Sequence, residues 1–133
     1  MIVLLDTDVL IDVALGREPH VEASGGLIDT LERRPGNTFI AWHTVSNFYY
    51  LVAPVRGGAD AAALIEDLTS FVDVAPTSTA DLRYAVRLGL ADFEDAMQVA
   101  AAAACGAEVI ATRNVRDYEG SPIPARTPAE LVS

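Results

Sequence analysis

The chain contains no lysine: its nine basic residues are all arginines. Every mechanism that needs a lysine is thereby excluded. Cys105 is the only cysteine, so neither an internal disulfide nor a cysteine-rich zinc site can form. In its alanine-rich setting it reads as a small buried thiol. No apolar run approaches the roughly 18 residues of a membrane span, and the opening residues lack the basic flank of a signal peptide. The expectation is a cytoplasmic protein with no membrane association. Positive charge is also scarce, with 9 basic against 19 acidic residues and a net charge of −10. Such a surface repels polyanions as a whole, so any nucleic-acid contact must be local and helped by arginine or metal.

What is present fits one domain, residues 1–133, long enough to bury about two-thirds of the surface its unfolded chain exposes. A hydrophobic content of 51% and a mean hydropathy of +0.28 are high for a small monomer. Some apolar surface is therefore expected to be covered, by a second copy in a homodimer or by a bound regulatory peptide.

The chain is organised around MIVLLDTDVLID. The short apolar run Ile2 to Leu5 reads as a strand buried on both faces, and Asp6 ends it. In open α/β sheets ligands bind beyond the carboxyl ends of the strands, so a carboxylate there is placed for chemistry. Thr7 and Asp8 start a helix, with Asp8 read as its N-cap. A helix over 20–34 follows, ended by Pro35-Gly36-Asn37. A second strand, Thr38 to Trp42, leads into a helix with Val45, Phe48, Tyr49 and Val52 inward, closed by Pro54 and Gly57-Gly58. His43 has no evident partner for acid-base work. Trp42, Tyr49 and Tyr50 read as core or interface.

A further helix packs through Ala61, Leu64, Ile65 and Leu68 before a third strand, Phe71 to Ala75. The next helix, capped among Ser78 and Thr79, turns Leu82, Ala85 and Val86 inward. Asp92-Phe93-Glu94-Asp95 opens an alanine-rich helix that runs to Cys105. Glu108 to Thr112 is the fourth strand, and the polar loop 113–118 follows it. A short edge strand around Ile123 to Ala125 precedes a final helix that begins with the capping box of Thr127 and Glu130. Strands alternating with helices predict an α/β fold: a three-layer α/β/α sandwich around a parallel sheet of four to five strands.

In a right-handed crossover the helix runs antiparallel to its strands, so helix N-termini and strand C-termini share one edge. Asp6, Asp92 and Asp95 then lie at that edge, with Asn114 and Asp117 after strand four. If strands one and four are neighbours, these groups surround one cleft. Acids at a helix start are also ordinary caps. Several carboxylates in close proximity cannot all stay ionised without a cation, and Mg2+ or Mn2+ suits an all-oxygen site. Such an ion activates water towards a phosphodiester and neutralises the charge that develops on it.

At these two ends the chain resembles the PIN domain family, in particular its compact bacterial members that include VapC-type toxins. LLDTDVLID is similar to the opening strand and first catalytic aspartate, placed on Asp6. DAMQVAAAAACGAEVIATRNVRDY is similar to the stretch of metal-site aspartate, helix, strand and closing loop, placed on Asp95 and on the pair Asp117-Tyr118. The resemblance implies a metal-dependent endoribonuclease acting on single-stranded RNA, the toxin of a type II toxin-antitoxin pair held inactive by an antitoxin. It implies that Asp6 and Asp95 hold the ion, while Asp92 and Asp117 orient the attacking water. Arg113 and Arg116 flank the cleft as candidate phosphate contacts, and Thr112 and Asn114 as groups that position water or substrate.

Two positions depart from the family pattern. Asn47 stands where the helix after strand two normally carries glutamate, and Asn114 where a further acid is common. An amide accepts a bond from water or metal but is neither a base nor a counter-charge. One bound ion is therefore expected more readily than two, with Asp92 compensating from the same side of the helix as Asp95. The alternative function is a PIN-like binding module that has lost catalysis at these two positions. Asp6-Thr7-Asp8 also resembles the motif of haloacid-dehalogenase phosphatases, but Leu10 stands where that motif wants Thr or Val, and the lysine of that mechanism is missing.

Overall fold

The computed structural model describes residues 1–132; Ser133, the last residue of the expected domain, lies outside the described residues. Its strands are β1 (Val3–Leu5), β2 (Thr38–Ile40), β3 (Asp73–Val74), β4 (Val109–Ala111) and β5 (Ala125–Arg126). All pair in parallel in the order β3-β2-β1-β4-β5, so β1 is central and β4 is its neighbour. The helices are α1 (Thr7–Ala14), α2 (Val21–Glu32), α3 (Trp42–Arg56), α4 (Gly58–Leu68), α5 (Thr79–Arg87), α6 (Phe93–Ala104) and α7 (Pro128–Val132).

The period of two along each strand sorts side chains into two cores. Val3, Leu5, Ile40, Val109 and Ala111 pack with α1 to α4 on one face. Leu4 and Ile110 face the other way, onto Val99, Ala101 and Ala102 of α6. Small alanines on α6 let that helix lie close to the sheet, and Ala96 and Ala100 do the same for α5 through Ala85. This is the expected layered α/β arrangement, with five strands. Among the described residues no helix is long and apolar enough to cross a membrane.

Several local expectations are corrected. Asp6, in extended conformation, caps α1 by accepting from the Thr7 amide at 2.7 Å, so Asp8 lies inside the first turn. Trp42 opens α3 in place of ending β2 and is 71% exposed. Pro54 sits within α3, and Gly57, at φ 91°, ends that helix. Leu82 and Val86 are exposed, because α5 meets α6 through Ala85 and Leu88. Cys105 is the half-buried C-cap of α6 rather than a core thiol. The edge strand begins two residues later than expected and ends one later, at Ala125–Arg126.

Candidate functional site

The carboxyl end of β1 is tied to β4 by the Asp6 amide, which donates to the Ala111 carbonyl at 2.9 Å. That bond fixes where Asp6 leaves the sheet. Its side chain is 6% exposed and held on both oxygens: Oδ1 accepts from Thr7, while Oδ2 accepts from the Thr112 hydroxyl at 2.9 Å and the Tyr118 hydroxyl at 2.8 Å. Where the family resemblance predicts a DF-like pair, Tyr118 supplies the phenol that a phenylalanine lacks. Asp6 has its pKa raised because burial outweighs these hydrogen bonds.

Across the pocket, Asp92 caps α6 by accepting from the Asp95 amide at 3.2 Å. Capping and pocket lining coincide here, since a cap residue sits at the helix end that faces the strand termini. One carboxylate oxygen from each of Asp92, Glu94 and Asp95 lies within 4.8 Å of the others. Asp6, Asp8 and Asp117 line the same pocket, of about 350 Å³, together with Asn47 and Asn114. Asp95 is pushed up to about 7, first by burial and then by Asp92, Glu94, Asp6 and Asp117. Asp8 is pushed up to about 7 as well, by burial and then by Asp6. In both cases burial is the larger cause and neighbouring carboxylates add to it, while Arg113 partly offsets the rise at Asp8.

Glu94 behaves differently. Burial alone would raise its pKa, but bonds from His43 at 2.6 Å and Gln98 at 2.9 Å hold it below the ordinary value. Gln98, fully buried, also donates to Thr44 at 3.0 Å, and the Thr7 and Thr44 hydroxyls are 3.1 Å apart. His43 thus does have a partner, contrary to the sequence expectation, and a polar network ties α1, α3 and α6 together beneath the acids.

Not every predicted contact reaches the pocket. Thr112 is fully buried, bonds to Asp6 and to Asp8 Oδ2, and is absent from the described pocket lining. Asn114 donates to Asp8 Oδ2 at 2.9 Å and lines the pocket. Arg113 pairs with the fully buried Asp12 at 2.8 Å, which ties the loop after β4 to α1. Arg116 is exposed and is absent from the described pocket lining. Three charged lining residues had been given no site role: Asp8, Glu94 and Arg17. Glu94 carried a signal, its place between two acids at a helix start, but adjacent helical positions point about 100° apart and only the pocket's curvature brings them together.

The donor set fits a hard divalent cation. It consists of oxygens, carboxylates dominate it, and Asp8 Oδ1 is buried with no hydrogen-bond partner among the described residues.

A family model described as PIN domain matches residues 2–116. No curated protein matches the chain in sequence. Among solved structures, the chain is similar to VapBC2 from Rickettsia felis bound to a promoter DNA fragment, at 15% identity and TM-score 0.73, covering 96% of this chain and 98% of that one. VapBC-1 from nontypeable Haemophilus influenzae gives 16% identity and TM-score 0.73, with coverage of 96% and 98%. VapC20 from Mycobacterium tuberculosis, a toxin that cleaves the sarcin-ricin loop, gives 17% identity and TM-score 0.66, covering 81% of this chain and 86% of that one.

Proposed function

This chain belongs to the PIN domain family, and from that premise we propose that it is a metal-dependent endoribonuclease of single-stranded RNA, the toxin of a toxin-antitoxin pair. One observation carries the reading: acids from the end of β1 and from the start of α6 line a single pocket, where two of them are held near pH 7. VapBC neighbours and a sarcin-ricin-loop-cleaving VapC support an RNA substrate and an antitoxin partner.

In this reading residues 1–133 act as one domain, and Asp6 and Asp95 hold one Mg2+ or Mn2+. When bound, the ion supplies a Lewis acid for the phosphodiester and an activated water. The protein's own part is positional. Thr7, Thr112 and Tyr118 fix both oxygens of Asp6, so its carboxylate needs little reordering. Asp92 and Asp117 orient the attacking water, and Glu94, kept ionised by His43 and Gln98, adds fixed negative charge for the cation. That charge also makes up for the neutral Asn47, which lines the same pocket.

The exposed apolar side chains of α3 and α5, among them Trp42, Tyr50, Val55, Leu82 and Val86, support a homodimer. Light scattering that gives a monomer at working concentration would remove that assignment. The activity is tested with labelled single-stranded RNA. Cleavage should require added Mg2+ or Mn2+ and vanish in Asp6→Asn with the fold intact. Cleavage that persists unchanged in chelator refutes the mechanism, and a folded protein with no metal site and no cleavage indicates the binding module.

A further inference from the structure

A pocket lined by six acids is a poor receptor for a polyanion even after one divalent ion has entered, so the substrate's phosphates need a fixed cation beside it. The two arginines expected there do not supply it: Arg113 is paired with Asp12, and Arg116 is not among the described lining residues. Arg17 is the one basic side chain among the described residues that line the pocket. Among the described residues it forms no ion pair.

Its placement is built into the chain. After α1, Gly16 takes φ 62°, its amide donates to Val13 at 3.4 Å, and the Arg17 amide donates to the Asp12 carbonyl at 2.9 Å. These are the two bonds of a Schellman motif, which needs a residue tolerant of positive φ at Gly16. From the other side, the Arg17 carbonyl accepts from His20 at 3.0 Å and Val21 at 2.8 Å at the start of α2. The backbone of Arg17 is therefore pinned between two helices while its side chain stays uncommitted. A planar guanidinium offers paired donors to phosphate oxygens, and one already anchored at its root loses less freedom on binding.

We propose that Arg17 contacts a backbone phosphate of the RNA substrate and is the main cationic contact of the cleft. This rests on the ribonuclease reading above. The test combines steady-state cleavage in Mn2+ by wild type, Arg17→Ala, Arg17→Lys and the remote control Arg33→Ala with anisotropy titrations of labelled single-stranded RNA. The titrations use an Asp6→Asn background with Mn2+ across a range of salt. Arg17→Ala should raise KM about tenfold or more with kcat changed little. Its salt slope for RNA binding should flatten by about 0.7, the value of one lost phosphate contact on a single strand. Arg17→Lys should keep the slope and recover part of the affinity, and Arg33→Ala should match wild type. If wild type cleaves and Arg17→Ala behaves as Arg33→Ala does, the proposal falls while the nuclease reading stands. If wild type fails to cleave but RNA binding still depends on Arg17, the contact stands and the nuclease reading falls. RNA binding absent from every variant overturns both.

Discussion

Replacing Asp95 with asparagine should make the metal-free protein more stable at pH 8. Burial, followed by Asp92, Glu94, Asp6 and Asp117, holds this carboxyl at about 7 against an ordinary 3.8. A carboxyl raised in the folded state contributes stability that is fully present below about pH 4 and lost as pH rises through 7. The gap corresponds to about 4 kcal/mol at pH 8 as a ceiling. Although the Asp95 side chain is 9% exposed, it lines an open pocket where solvent screens its neighbours, which reduces the figure to roughly 1–2 kcal/mol. For a chain of this length that is a melting-temperature gain of about 3–8 °C. The assay is thermal unfolding by circular dichroism in chelator at pH 5 and pH 8. The gain should appear at pH 8 and shrink at pH 5, where the wild-type carboxyl is already protonated. Saturating Mn2+ at pH 8 should reverse the order, since a ligand at 100 times its Kd stabilises the wild type by about 2.7 kcal/mol. A variant that melts at or below wild type in chelator at pH 8 refutes the reasoning, because Asp95 would then be making a favourable contact in the free protein.

Arg113→Ala should act on folding, because it strands the fully buried Asp12: a loss of about 3 kcal/mol or more by chemical denaturation, against the negligible change expected of a surface phosphate contact. Tyr118→Phe removes a buried donor to Asp6 and should cost about 1.5 kcal/mol at neutral pH by chemical denaturation. Stability equal to wild type would show that the phenol does not hold the carboxylate. Glu94→Gln should weaken Mn2+ binding several-fold in calorimetry and lower the melting temperature in chelator at neutral pH, because the ionised carboxylate held by His43 and Gln98 stabilises the fold; an affinity equal to wild type removes Glu94 from the site.

Much of this arrangement was legible in the sequence for identifiable reasons. Asp6 and Asp95 were found because strand ends and helix starts are marked by local signals, a stopped apolar run in one case and a capped alanine-rich helix in the other. Their meeting depended on β1 and β4 being neighbours, which no local signal encodes and the sheet order supplies. The hydroxyls of Thr112 and Tyr118 reach Asp6 across more than a hundred residues, and His43 reaches Glu94 across fifty-one, so only the folded geometry reveals those partners. Leu82 and Val86 were misplaced because periodicity locates a helix's apolar side without saying whether anything covers it. The ion pair of Arg113 was hidden for a similar reason. Loop position suggested which arginine flanks the cleft, but the buried Asp12 decided which one was already committed.

The most direct test of the central claim is calorimetric titration of the chelator-treated protein with Mn2+ at pH 7.5, for wild type, Asp6→Asn and Asp95→Asn. The wild type should bind saturably and each variant at least tenfold more weakly, with circular dichroism spectra unchanged. Binding that is absent from the wild type, or equally tight in all three folded proteins, would contradict that claim.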